Sequence, residues 1–144
     1  MPVGRTKDVI VVGYGASELE DILKAELDKV GKYIVPDPQP EKGFFYRSDH
    51  ISFAKRGVPV LYADGGFDKV EGGIEVGKSF AEEYTALHYH QPSDEYDPNW
   101  DLSGFVDQLT ITSNMVKFLA DSDTWPEWYE GNEFKRIREE SRNN

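Results

Sequence analysis

Residues Val9-Ile10-Val11-Val12 form an unbroken β-branched run with no polar alternation. Such a run suits a strand buried on both faces, the kind found in a parallel sheet covered by helices. Gly13-Tyr14-Gly15 then turns the chain, and Ser17 followed three residues later by Glu20 has the pattern of a capping box. A helix is therefore expected from about residue 18, with Leu19, Ile22, Leu23, Leu27 and Val30 at helical spacing and Gly31 placed to stop it. A second strand at Tyr33-Ile34-Val35 completes a βαβ unit.

Beyond it, Pro36-Asp37-Pro38-Gln39-Pro40 excludes a regular element, and Gly43-Phe44-Phe45-Tyr46 places aromatic rings on irregular backbone. The pattern predicts a short helix from Asp49 to Arg56, capped by Ser48 and ended by Gly57, then a third strand from Val58 to Ala63. Gly65-Gly66 and Gly72-Gly73 bracket a loop expected to be mobile, ahead of a helix from about Val76 to Leu87. The longest helix is predicted over Leu102 to Ala120, with Leu102, Phe105, Val106, Leu109, Val116 and Leu119 on one apolar stripe. The tail carries Trp125, Trp128 and Phe134 among mixed charges; their rings are expected on the body, with fraying from Ser141 to Asn144. The expected fold is an α/β three-layer sandwich, a mainly parallel sheet between helices. Its boundaries are a body over residues 1–124 and a tail over residues 125–144.

Composition narrows the function classes. With 27 acidic against 16 basic residues the net charge is −11, which disfavours nucleic acid and anionic membrane surfaces as partners. The 144 residues contain no Cys, so disulfides, thiolate nucleophiles and Cys-based metal sites are excluded. No apolar run approaches the roughly 18–20 residues of a membrane-spanning helix, and Met1-Pro2-Val3-Gly4-Arg5 has no hydrophobic signal core.

Three motifs bear on chemistry. Gly13-Tyr14-Gly15-Ala16-Ser17-Glu18, with Asp37 further on, approaches a dinucleotide-binding turn. Glu18 replaces the third glycine, however, and sets a carboxylate where a pyrophosphate would lie, so a tight turn with an acidic first helical turn is the reading adopted. Arg47-Ser48-Asp49-His50 gathers polar residues at a helix mouth, which a helix cap accounts for. His88-Tyr89-His90 followed by Gln91-Pro92-Ser93-Asp94 sets two imidazoles at i and i+2, on one face if the backbone is extended. That spacing leaves open a small metal site formed by His88, His90 and a carboxylate, against a polar helix end.

The second and third motifs occur in a telling order. Arg47-Ser48-Asp49-His50-Ile51-Ser52-Phe53, then Gly57-Val58-Pro59-Val60-Leu61, then Tyr89-His90-Gln91-Pro92-Ser93-Asp94 resemble the C-terminal half of the zinc-dependent aminopeptidases of metallopeptidase family 28. Arg5 to Gly15, Ser17-Glu18-Leu19 and Trp125 to Glu133 look like the bacterial members of that family. The resemblance implies a phosphorylase/hydrolase-like zinc peptidase domain that hydrolyses N-terminal peptide bonds with two zinc ions. It nominates His90 as a zinc ligand and Tyr89 as the residue that hydrogen-bonds the developing oxyanion. Ser48, Asp49 and His50 match the segment supporting the substrate pocket, and Asp94 matches the acid bracing the loop after the last ligand.

Other parts of the family's pattern are missing from this sequence. It contains no H-x-D or N-x-D segment in a suitable setting, and Glu82-Glu83 lies on a predicted helix in the wrong order for the catalytic pair. The expectation is thus the second half of a catalytic domain, holding zinc weakly or not at all and inactive by itself. The partner expected for the intact parent is a peptide N-terminus. The alternative is a non-catalytic module that binds a peptide end at Phe44-Phe45-Tyr46 or self-associates through an uncovered face.

Overall fold

The computed structural model describes residues 4–142. Met1 to Val3 of the leading segment and Asn143-Asn144 of the predicted frayed end lie outside the described residues. The elements run β1 (Asp8–Val12), α1 (Leu19–Asp28), β2 (Tyr33–Pro36), a 3-10 turn (Pro40–Lys42), α2 (Phe44–Arg47), α3 (Ile51–Ala54), β3 (Tyr62–Gly65), α4 (Gly73–Leu87), α5 (Ser103–Ala120) and α6 (Lys135–Arg142). The architecture is α/β, a small sheet of order β2-β1-β3 with helices, compatible with an α/β sandwich. β1 pairs in parallel with β2, Val9 opposite Ile34, but antiparallel with β3, Ile10 opposite Asp64, so the sheet is mixed.

β1 is buried along all its residues because it is the central strand. On one face Val9 and Val11 pack with Leu23 and Leu27 of α1 and Ile111 and Met115 of α5. Leu27 is fully buried, which contributes about 1.5–3 kcal/mol for a side chain of its size. α5 turns Gly104, Ile111 and Met115 inward, and the Gln108 amide donates to the Ala63 carbonyl at 2.8 Å. The predicted stripe points elsewhere: Phe105, Leu109 and Val116 are 48, 51 and 59% exposed. The helix carries two apolar faces, and the one that bears Ile111 and Met115 packs on the sheet.

The turn after β1 is held by an acid. Gly13 has φ +78°, and a Cβ there would stand 2.4 Å from the Phe45 ring, so glycine is required twice over. The buried Glu20 carboxylate accepts from the Gly15 and Ala16 amides at 2.9 and 2.7 Å. The capping-box Glu therefore does reach back, but past its expected target. Glu18 is the N-cap, with no side-chain cap bond, and the Ser17 hydroxyl donates instead to the Val60 carbonyl at 3.4 Å.

A second cluster joins Ala16, Ala54, Trp128 and Phe134. Trp128 is 1% exposed and its indole N–H donates to the Gly57 carbonyl at 2.9 Å. Gly57 has φ +80°, and a Cβ would meet the Arg138 backbone at 2.6 Å, so α6 can pass only over a glycine. Trp125 departs from the expectation for the tail: it is 66% exposed, with Arg138 and Arg142 over its ring at 5.9 and 5.7 Å.

Several boundaries differ from the sequence reading. Phe44–Arg47 is helical, not irregular, and α3 spans only Ile51–Ala54 with His50 at its N-cap. Ser48 is instead the C-cap of α2 and makes no side-chain cap for α3. β3 begins at Tyr62, after the predicted Val58 start: the Val58 amide donates to the Phe53 carbonyl at 3.2 Å, Pro59 has no amide hydrogen, and the Val60 carbonyl accepts the Ser17 hydroxyl. α4 begins at Gly73, earlier than predicted.

Candidate functional site

At the end of α4 the chain makes a turn rather than an extended strand. The His88 and Tyr89 amides both donate to the Tyr84 carbonyl at 2.9 Å, and Gln91 donates to the His88 carbonyl at 2.8 Å. His90 sits at φ +59°, the left-handed region, and is the sole non-glycine residue there among those described. Its ring stacks on Tyr89 at 4.0 Å between centroids, while His88 stacks on Tyr84 at 6.3 Å. The two imidazoles thus do not share a face of extended backbone, which overturns the geometry expected from their i, i+2 spacing. Both Tyr89 and His90 are exposed.

Asp94 closes this turn. Its carboxylate accepts the Tyr84 hydroxyl at 2.9 and 3.0 Å, and its own amide donates to the Gln91 carbonyl at 3.0 Å. Burial first, then the bond to Asp94, raises the Tyr84 pKa, so the phenol remains a donor. Ser93 adds a second tie: its hydroxyl donates to the Leu87 carbonyl at 2.9 Å and lies 3.2 Å from His88 Nδ1. A cleft of about 340 Å³ beside the turn is lined by Phe80, Tyr84, His88 and Asp94, without Tyr89 or His90.

The Ser48-Asp49-His50 corner is a different environment. Its backbone starts α3, with the Ile51 amide on the Ser48 carbonyl at 3.2 Å and the Ser52 amide on the Asp49 carbonyl at 3.1 Å. The His50 ring lies edge-on between Phe45 at 4.8 Å and Tyr62 at 5.5 Å. His50 Nε2 is buried and has no hydrogen-bond partner among the described residues. Desolvation lowers the His50 pKa below the ordinary 6.5, opposed by the nearby Asp49 charge.

Beside that corner lies an aromatic cleft of about 260 Å³, lined by Tyr14, Phe44, Phe45 and Tyr46 together with Asp37 and Glu133. Asp37 Oδ1 accepts the Gln39 amide at 2.9 Å, and Glu133 Oε1 accepts the Tyr46 hydroxyl at 2.7 Å. The bond to Glu133 raises the Tyr46 pKa. Sequence reasoning marked the three ring residues of the loop but not Tyr14, Asp37 or Glu133 as their companions. The signal available was the tight Gly13-Tyr14-Gly15 turn, which aims the β1 end at the same loop; nothing in the sequence pointed to Glu133, about ninety residues away. Among the described residues no hydrogen bond or ring contact joins Ser48, Asp49 or His50 to the His90 turn.

A scan against family models matches Peptidase family M28 over residues 1–112. The chain belongs to peptidase family M28. No curated protein and no solved structure matches it. The family is zinc-dependent and its chemistry is peptide hydrolysis. Zinc needs three or four fixed His, Asp or Glu ligands here, since the chain has no Cys. Among the described residues no three such side chains gather to hold a metal ion. The residues present therefore do not fit a resident zinc by themselves. Among the described residues, too, no helix is long and apolar enough to cross a membrane.

Proposed function

We propose that this M28 chain contributes the C-terminal portion of a zinc aminopeptidase catalytic domain, with His90 as its donor to the metal centre and Tyr89 beside the reacting carbonyl. The observation carrying this is the backbone of His90. A left-handed conformation disfavours any side chain with a Cβ, and such strain is retained chiefly where a particular side chain is needed at a particular place. Tyr84 and Asp94 hold the turn that presents it. In this reading Ser48, Asp49 and His50 support the substrate pocket, and the packing of His50 between two rings is consistent with that role.

The chain's own residues can present an imidazole and a phenol. When bound, the two zinc ions of the family polarise a carbonyl and acidify a water. Among the described residues no set of ligands gathers around His90, so the isolated chain is expected to show no appreciable peptidase activity. The purified chain supplied with zinc and an aminoacyl-arylamide is the test. Background-level turnover is the expected result, and robust hydrolysis overturns the reading.

A second reading is a non-catalytic module that captures a peptide end at Phe44-Phe45-Tyr46, and the aromatic cleft favours it. Its self-associating variant is supported by the exposed stripe of Phe105, Leu109 and Val116 on α5. Light scattering separates that variant from the rest: growth of a dimer with concentration supports it, and a monomer at high concentration removes it.

A further inference from the structure

We infer that the aromatic cleft beside the Gly13-Tyr14-Gly15 turn binds the cationic side chain, guanidinium or ammonium, of a peptide. This rests on the peptide-capture reading of the Phe44-Phe45-Tyr46 loop and gives it a ligand chemistry. Three observations converge. The walls are rings: Tyr14 and Tyr46 are more than half exposed, and Phe44 and Phe45 are half-buried, so aromatic faces are open to an incoming group. A cation over such faces gains about 0.5–1 kcal/mol at an exposed site and more when desolvated.

The charged groups of the cleft are also of one sign. Asp37 and Glu133 line it, and neither pairs with a cation among the described residues. Each uses one oxygen internally, towards the Gln39 amide and the Tyr46 hydroxyl, and a carboxylate offers further lone pairs beyond that. The two carboxylates come from opposite ends of the chain, one after β2 and one just before α6. They are brought to the same cleft by the fold rather than by a local acidic run.

Size and precedent within the molecule agree. About 260 Å³ is below the roughly 300–1,000 Å³ typical of a drug-sized pocket and suits one side chain. The loop already holds such a group: the Arg47 guanidinium lies over the Phe44 ring at 6.0 Å, and Arg47 does not line the cleft. The net charge of −11 draws cations toward the surface from a distance.

Calorimetric titration of the full chain with argininamide, citrullinamide and leucinamide tests this. All three carry an α-ammonium group, and citrulline has the shape of arginine without its charge. Argininamide should bind about tenfold tighter than citrullinamide. Raising the salt concentration should shrink that gap. The substitutions Asp37→Asn and Glu133→Gln keep an oxygen acceptor for Gln39 and Tyr46, so the loop should stay folded, which circular dichroism checks. Each should erase part of the preference and the double variant all of it. Equal binding of all three amides, or a preference for leucinamide, overturns the charge argument and leaves peptide capture standing. No binding by any amide overturns both.

Discussion

Two histidine environments divide this molecule. His50 sits where the turn after β1, the α2–α3 corner and the tail meet, its ring between Phe45 and Tyr62. His90 sits on an outer turn, exposed, its ring stacked on its neighbour Tyr89. The first is held by long-range packing, since Trp128 and Phe134 close over Ala16 and Ala54 from more than seventy residues away. The second is held by local bonds from α4 and Asp94. The difference separates a region that stores stability from one that spends it. The enclosed region can lose little without unfolding, whereas the outer turn keeps an unfavourable backbone that local bonds alone hold in place.

The largest effect should come from removing the closure. Trp128→Ala takes away a side chain that is 1% exposed and leaves the Gly57 carbonyl without its indole donor. A cost of about 3–5 kcal/mol is expected, read as a lower midpoint in urea unfolding. Trp125→Ala, 66% exposed and losing the stacking of Arg138 and Arg142, should cost about 1 kcal/mol or less in the same assay. Comparable losses from the two tryptophans would break the division between enclosed and outer regions.

A smaller loss is expected at the β1 turn. Glu20→Ala leaves the Gly15 and Ala16 amides without the buried carboxylate that accepts both. Hydrogen bonds to a charged group are worth about 1.5–3 kcal/mol, so a destabilisation of about 2 kcal/mol should appear in urea unfolding. Glu95→Ala, on the exposed loop after Asp94, should be nearly silent.

Protonation probes the enclosed histidine directly. Burial depresses the His50 pKa in the folded protein relative to the 6.5 of a free imidazole. The unfolded chain therefore binds this proton more readily. The stability associated with neutral His50 is full above pH 6.5 and is lost as pH falls through the lower, folded-state value. Wild type compared with His50→Gln should show a stability difference that shrinks over that window and then levels off. A difference that grows on acidification would place His50 in contact with an acid strong enough to outweigh its burial.

How much of this was legible in the sequence follows from the range of the interactions. β1 and α1 were readable because an unbroken apolar run and a helical period are local facts, although Ser17 and Glu20 chose other partners than the pattern suggested and Val30, expected on the stripe, lies exposed beyond the helix end. The start of β3 was not readable. Val58 and Val60 have strand-forming side chains, yet the Val58 amide is taken by the Phe53 carbonyl and the Val60 carbonyl by the Ser17 hydroxyl. Asp64 and Gly65, poor strand formers, pair with β1 instead. α5 misled for a related reason: the bulky stripe was conspicuous, but Gly104, Ile111 and Met115 fit the sheet. The family motifs around His50 and His90 were visible as residue order. The aromatic cleft was not, because Asp37 and Glu133 meet only through the fold.

The smallest expected effect bears on the outer turn. At φ +59° a glycine escapes the roughly 1–2 kcal/mol that the left-handed region imposes on a side chain with a Cβ. It also loses more conformational entropy on folding, by about 0.5–1 kcal/mol. The balance for His90→Gly is a gain of about 0.5 kcal/mol, while His90→Ala keeps the strain and gains nothing. Urea unfolding of the two variants beside wild type reads the order. If glycine stabilises, the imidazole is being kept at a site where folding alone would favour its removal, as a metal donor would require. If glycine and alanine both destabilise, the stacking on Tyr89 is structural, and the outer turn belongs with the enclosed region after all.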